Sequence, residues 1–309
     1  MLPAQLMNPG RFLFIGLIFL LGTSCSMARA ASNLTSNILK EGSPVFEEEQ
    51  DVEVAEQTGL AMIKTLEVFH HQNPKNKNYL LLLSKSYGTY GFGFLENRLL
   101  QYEQKDPERY KVYLERAKLF YSRGKNYGLQ LIEREDKDLR KAIDQGLGPL
   151  KGALAGVGKS DAAMIFWTAL SWGNYVNLTK DEVRSVSDLA IVEVMMARVL
   201  ELDPGFFYGG PHLFYGVYYA SRPTMLGGNP EEAKKHFEEA SKSSEGRFLL
   251  PYVLQAQFLA VQTQDRNLFN DLIGKVESGD PNAMPEQKLA NMLAKERVRY
   301  LRDREKELF

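Results

Sequence analysis

Apolar residues recur at helical spacing through most of the chain, beginning near Glu47. They follow one another at intervals of three and four residues, as in the run Ala117, Phe120, Tyr121, Gly124, Tyr127, Gly128 and Leu131. A helix that packs one face against a core requires this interval, whereas a half-buried strand alternates with a period of two. No segment of strand length alternates in that way. The pattern therefore predicts an all-α fold, with about eleven helices after Glu47.

Prolines and polar caps mark the helix ends. Asn229 precedes Pro230 and two glutamates, which predicts a helix start with a side-chain cap and a proline in the first turn. Thr179, with Glu182 three residues later, has the form of a capping box and predicts another start. The other prolines interrupt the chain between apolar stripes, so that short connections join successive helices.

The helices show a weak internal period. Ala233, Phe237 and Ala240 are spaced by four and three residues, as in the second helix of a tetratricopeptide (TPR) repeat. The first-helix positions of the same repeat fall on His212, Tyr215, Gly216 and Tyr219. We expect about four degenerate TPR-like repeats, because such hairpins bury their apolar faces only by stacking into a curved solenoid. The helix from Pro285 to Phe309 is expected to cap the end of this solenoid.

The first residues form a targeting signal. An apolar run of about ten residues, from Phe12 to Leu21, is too short to span a bilayer, and small residues follow it. Cys25 then stands at the lipid-acceptor position of a bacterial lipoprotein signal. The sequence predicts a signal peptide over 1–24, a lipidated N-terminus and tether over 25–46, and a helical domain over 47–309. The alternative is a soluble secreted protein cleaved near Ala28 to Ala31.

Composition excludes several classes of protein. Hydrophobic residues make up 44% and charged residues 25% of the chain, which excludes disorder as the main state. The 38 basic and 39 acidic residues leave no bulk positive field, so nucleic acid is not an expected partner. A single cysteine builds neither a disulfide framework nor a thiolate metal site. The four histidines lack metal-ligand spacing, and no nucleophile motif is present. We therefore expect no cofactor, no metal and no catalytic residue.

Aromatic residues are the strongest candidates for a binding site. They crowd two helical pairs, and tyrosine and tryptophan combine apolar area with a polar atom, which suits an apolar ligand that carries one polar end. The alternative for each ring is simple core packing. The candidate ligand-binding residues are Trp167, Trp172, Tyr175, Phe206, His212, Tyr215, Tyr219 and Arg222. Arg222 opens a loop to Gly228 that is longer than a usual repeat turn, and ligand or partner contact is one interpretation of it.

From about Leu82 to Phe309 the sequence resembles the T component of tripartite ATP-independent periplasmic (TRAP) transporters, a family of TPR-type periplasmic lipoproteins. The resemblance rests on FWTALSWG from Phe166, ARVLELD from Ala197, GGPHL from Gly209, GVYYASRP from Gly216, LGGNP from Leu226, AKKHF from Ala233 and LAN from Leu289. Phe166 stands where the family often has tyrosine, and the stretch from Gly146 to Lys159 is richer in glycine than is usual.

The resemblance implies a lipid-anchored protein on the periplasmic side of a bacterial envelope. It also implies a homotrimer that pairs with the substrate-binding P component and helps to deliver small, hydrophobic organic ligands. Ser26 after the cysteine favours the outer membrane in a bacterium with two membranes. The alternative function is an envelope scaffold for outer-membrane or cell-wall assembly, without a small ligand.

Overall fold

The computed structural model describes residues 27–309, and this part of the chain is helical with no β-strand. This confirms the predicted all-α class. The α-helices are α1 (27–41), α2 (Pro44–Glu47), α3 (Val52–Gln72), α4 (Lys77–Tyr90), α5 (Glu96–Tyr102), α6 (Pro107–Glu135), α7 (Lys137–Gln145), α8 (Leu147–Leu154), α9 (Ala162–Asn177), α10 (Val183–Leu202), α11 (Phe206–Ala220), α12 (Pro230–Lys242), α13 (Leu250–Leu254), α14 (Arg266–Ser278), α15 (Lys288–Asp303) and α16 (Glu305–Leu308). Short π-helical segments, Gly91–Leu95 and Gln255–Ala260, continue α4 and α13.

Polar side chains cap the helix starts. Asn229 accepts a hydrogen bond from the backbone N–H of Glu232, and Pro230 occupies the first turn of α12, as predicted. The capping box predicted at Thr179 is wrong. The hydroxyl of Thr179 donates to the carbonyl oxygen of Tyr175, so it closes the end of α9 while α10 begins only at Val183. The other side-chain caps are supplied by Asp51, Asn76, Asp106, Asp136 and Asp265.

Helices α4, α6 and α9 cross at close range in the middle of the molecule. The predicted stripe of α6 is buried along its length, except for the half-buried Tyr127. A Cβ added to Gly128 would lie 2.2 Å from Oγ1 of Thr168 on α9, and one added to Gly124 would lie 2.6 Å from Oγ of Ser171. Only glycine permits this distance between the two helix backbones. The small side chains of Thr168 and Ser171 complete the crossing.

Helices α11 and α12 form the hairpin in which the repeat pattern is clearest. Ala233, Phe237 and Ala240 are fully buried on α12. The ring of Phe237 lies against Gly216 of α11, where an added Cβ would approach it to 2.8 Å. Helix α9 likewise contacts α10, and α13 contacts α14, so these neighbours along the chain are also neighbours in space. The number and type of the repeats stay a prediction.

The C-terminal helix returns to the N-terminal half of the chain. Besides α13 and α14, α15 contacts α2, α3, α5 and the π-helical segment Gly91–Leu95. The guanidinium of Arg297 is buried at this contact, where it donates to Asn97 and to the carbonyl oxygen of Phe92. The expected cap at a free end is therefore an internal joint. The periodicity of one helix does not reveal partners about two hundred residues away in the sequence.

The segment expected to be a tether differs from that expectation, because residues 27–41 form helix α1. Ser36 of α1 is fully buried, and its hydroxyl accepts hydrogen bonds from the side-chain amides of Asn76 and Asn78. Tyr79 donates to the carbonyl oxygen of Ser32. Cys25 and the predicted signal peptide lie outside the described residues. Over residues 27–309, no helix has both the length and the apolar character needed to cross a bilayer.

Candidate functional site

A left-handed backbone turn opens α11. Phe207, Tyr208 and Gly209 have φ angles of 44°, 58° and 79°, a conformation that is costly for the two aromatic residues. Gly209 permits the turn, because an added Cβ would also lie 2.9 Å from Cα of Ala240. The turn directs the ring of Phe207 toward α9 and that of Tyr208 toward Phe248. Strained backbone of this kind is frequent at functional sites.

Lys85 of α4 lies beside two contacting rings, those of Trp167 and Phe207, whose centroids are 4.7 Å apart. Its Nζ atom is 5.5 Å from the ring centroid of Trp167 and 5.5 Å from that of Phe207, and it also forms an ion pair with Glu47. The second carboxylate oxygen of Glu47 accepts a hydrogen bond from Nε2 of Gln287 at 2.8 Å. The side chains of Lys85 and Glu47 retain about a fifth of their exposure. Four distant parts of the chain thus bring a cation, a carboxylate and two aromatic rings together.

Phe166 connects this group to another predicted residue. Its ring centroid lies 4.9 Å from that of Trp167 and 5.0 Å from that of Phe206. Phe166 itself is buried, whereas Phe206 is half-buried. Two of the eight candidate residues, Trp167 and Phe206, therefore belong to one aromatic cluster beside Lys85.

Trp172 lies in a different environment, one turn and a half further along α9. Its indole Nε1 donates to Oδ2 of Asp188 at 2.7 Å, and both residues are buried. Nζ of Lys125 lies 4.0 Å from the Trp172 ring centroid and 3.6 Å from the same carboxylate oxygen. This network joins α6, α9 and α10 and fixes the orientation of the indole. The half-buried Tyr175 packs separately, against the core formed by α3, α4 and α6.

His212 and His236 meet across the α11–α12 hairpin. Their Nδ1 atoms are 2.9 Å apart, so that one ring donates a hydrogen bond to the other. The His236 ring stacks on Tyr215 and on Tyr219, with centroid distances of 5.2 and 5.8 Å. Burial lowers the pKa of His212, and burial together with the neighbouring His212 lowers the pKa of His236. Burial raises the pKa of Tyr215, whose hydroxyl donates to the carbonyl oxygen of Glu193.

Arg222 lies at the end of the row of rings on α11 that includes His212, Tyr215 and Tyr219. Its guanidinium carbon lies 3.3 Å from the ring centroid of Tyr218, and its Nε donates to the Tyr218 carbonyl oxygen at 3.0 Å. Burial and the charge of Arg222 lower the pKa of Lys180 nearby. The loop that follows carries Met225 and Leu226, which are 88% and 65% exposed. Exposed apolar side chains at the tip of a loop are typical of contact surfaces.

Among the surface clefts of residues 27–309, two bear on the candidate residues. The larger, of about 680 Å³, lies between α3, α5, α14 and α15, and charged residues such as Glu56, Arg98 and Arg299 line most of it. The smaller, of about 420 Å³, lies beside α1 and is lined mainly by asparagine and basic residues. None of the eight candidate residues lines either cleft. Within the described part of the chain, no group of three or more histidine, cysteine or acidic residues is placed to hold a metal ion.

The candidate residues are predicted from the sequence as one set, but they lie in four separate places in the structure. Trp167 and Phe206 lie together, Trp172 and Tyr175 each lie apart, and the remaining four form the row from His212 to Arg222. Lys85 and Glu47 were missed. Each is a single charged residue in an ordinary helical context, and only the tertiary fold places it against aromatic rings.

The described residues form an all-α protein in which neighbouring helices pack against one another. The sequence signature of the TRAP transporter T-component family matches residues 48–309, and the chain belongs to this family. An uncharacterized protein of Treponema pallidum (strain Nichols) is 23% identical over 266 residues, which cover 86% of this chain and 82% of that protein. Membership indicates an accessory role in a TRAP transporter and a location in the cell envelope. The family is a transporter component rather than an enzyme family.

Proposed function

We propose that the chain is a lipid-anchored accessory protein of a TRAP uptake system on the periplasmic side of the envelope. Lipid on Cys25 holds it at the membrane, and the folded domain binds the substrate-binding P component and passes on small, apolar organic ligands. Family membership supports the transport role, and the apolar run before Cys25 supports the anchor. The protein acts without a covalent step.

The ligand site is the aromatic cluster beside Lys85. The observation that carries this assignment is the Lys85 ammonium group at 5.5 Å from the rings of both Trp167 and Phe207. Aromatic faces accept an apolar body, and the partly buried ammonium group of Lys85, which Glu47 also pairs, can accept one polar or anionic end. The rings of Phe206, Phe207 and Tyr208 are half-buried, so part of the cluster is accessible.

The loop after Arg222 is the proposed contact site for the P component. Met225 and Leu226 project from a short 3₁₀ turn, and burying such side chains in an interface stabilises a complex through the hydrophobic effect. The P component is the proposed partner at this loop. A homotrimer is proposed on the family resemblance, and light scattering of the purified chain tests it, since a monomer at high concentration would contradict it.

Ligand binding is tested by titrating tryptophan fluorescence with decanoate, which combines an apolar chain with one carboxylate. We expect Lys85→Gln to weaken the response while circular dichroism stays unchanged. The matched control is Lys77→Gln, because Lys77 is a largely exposed lysine of the same helix, paired with Glu135. Equal responses in the wild type and both variants would contradict the ligand site.

Partner identity is tested by affinity capture from gently solubilised envelopes with mass spectrometry. Recovery of a TRAP substrate-binding protein supports the proposal, and its loss in Met225→Glu but not in Val112→Glu assigns the contact to the loop. Val112 is a comparably apolar, exposed residue on α6. Recovery of envelope-assembly factors instead would favour the scaffold function.

A further inference from the structure

Helix α1 is amphipathic, but its polar side faces the domain and its apolar side faces outward. Its docked side is mainly polar: side-chain amides of Asn73, Asn76 and Asn78 donate to Asn33, Ser36 and Asn37 at 2.7–3.0 Å. Leu39 is the apolar residue on this side, and it packs against the core of α3, α4 and α6. Its outward side is apolar, with Met27, Leu34 and Ile38 exposed by 73%, 62% and 59%. A helix at the surface of a domain normally turns its apolar side inward. The domain therefore leaves an apolar helix face uncovered.

The three exposed residues form a continuous stripe. Met27 and Leu34 are seven residues apart, and Leu34 and Ile38 are four residues apart, so all three project within about 40° of one another around the helix. The buried Ser36 lies on the opposite side, about 160° to 180° away from these residues. The docked and exposed faces thus lie on opposite sides of α1.

The position of this stripe in the chain indicates its occupant. Cys25 is two residues before Met27, so acyl chains on Cys25 would enter a bilayer within a few ångströms of the stripe. The adjacent cleft supplies basic groups, Lys75 and Arg134, together with the Lys77–Glu135 ion pair and neutral asparagines. An apolar helix face with basic groups on the domain surface beside the other side of the helix suits the boundary between acyl chains and phosphate headgroups.

We infer that the Met27–Ile38 face of α1 lies in the phospholipid interface of the membrane. It holds the domain in one orientation on that surface, whereas a flexible tether would leave the domain free to rotate. The hydrogen bonds from the loop Asn73–Asn78 transmit this orientation to α3 and α4. The inference rests on the proposed lipid anchor at Cys25.

The test places a single polarity-sensitive nitrobenzoxadiazole label on the full, lipidated chain. Label sites are Leu34→Cys and Ile38→Cys, and the control is Lys40→Cys, an exposed residue on the docked side of the same helix. Proteins are bound to phosphatidylethanolamine and phosphatidylglycerol vesicles, with brominated acyl chains as quenchers. We expect labels at 34 and 38 to shift their emission to shorter wavelength and to be quenched, while the label at 40 stays in water.

Each other result has a distinct meaning. Labels at 34 and 38 that stay in water on protein that floats with the vesicles overturn the membrane face but leave the anchor intact. An emission shift that depends on protein concentration without vesicles assigns the stripe to a second copy of the chain and also overturns it. Cys25 is the only cysteine of the wild type, so wild-type protein that reacts with the label or does not float shows that the anchor itself fails.

Discussion

Nε of Arg297 donates a 2.8 Å hydrogen bond to Oδ1 of Asn97, a residue 200 positions earlier in the chain. Its Nη2 also reaches the carboxylate of Glu96, which accepts from the hydroxyl of the buried Tyr121. The guanidinium is 2% exposed, so its charge is compensated by these contacts rather than by water. One side chain therefore holds α15 against the N-terminal half.

We expect Arg297→Met to lower the free energy of unfolding by about 3–5 kcal/mol, because it leaves the largely buried Glu96 carboxylate, 14% exposed, without its cation. Urea denaturation measures this loss. The control is Arg302→Met on the same helix, whose pair with Glu277 is partly exposed and contributes about 1 kcal/mol or less. Similar losses of unfolding free energy in the two variants would show that the buried contacts of Arg297 contribute no more than an exposed ion pair.

The His212–His236 pair predicts a loss of stability in mild acid. The pKa of each ring is lowered in the fold, so below about pH 6.5 the unfolded chain takes up protons that the folded chain resists. Stability then falls as the pH decreases from 7.5 to 5.5. Both rings are half-buried, and the effect after solvent screening is about 1 kcal/mol or less.

Denaturation of the wild type and of His236→Phe at both pH values measures this contribution. The variant keeps a ring for stacking on Tyr215 but cannot be protonated. Other groups also titrate, including the nearby Glu232 and Glu239, and they are common to both proteins. The prediction fails if the wild type and the variant lose the same stability over this interval.

The left-handed turn before α11 predicts a penalty for Gly209→Ala. Alanine at a φ of 79° costs about 1–2 kcal/mol, and contact with Cα of Ala240 adds to this. Gly152→Ala in α8 is the matched control, since an added Cβ there meets no atom within 4 Å and helix propensity favours alanine by about 0.5–1 kcal/mol. Thermal unfolding of both variants should give shifts of opposite sign.

The two tryptophans predict separable fluorescence signals. Trp172 is held by Asp188, so Trp172→Phe should cost about 1–3 kcal/mol of stability by removing the indole hydrogen bond to that buried carboxylate. Trp167 adjoins Lys85, so the decanoate response should survive in Trp172→Phe and disappear in Trp167→Phe. A response that disappears with Trp172 instead would move the ligand site to the other end of α9.

Local features of this fold were predictable, and the distant contacts were not. The buried stripe of α6 and the cap at Asn229 follow from residues within a few positions of one another. His212 was singled out, but nothing in a spacing of 24 residues indicated that His236 completes the pair. The orientation of α1 was not predictable for another reason. Its docked side is mainly polar, so the composition of this segment is that of a flexible tether.

The packing of α15 against the N-terminal half changes the expected course of unfolding. A linear array of hairpins exposes two terminal units, each held by one neighbour, and loses them one at a time. Here the C-terminal helix is held by α13 and α14 on one side and by α3 and α5 on the other. Stepwise fraying from the C-terminus is thereby suppressed, and the hairpins between these contacts are committed to a single cooperative unfolding transition.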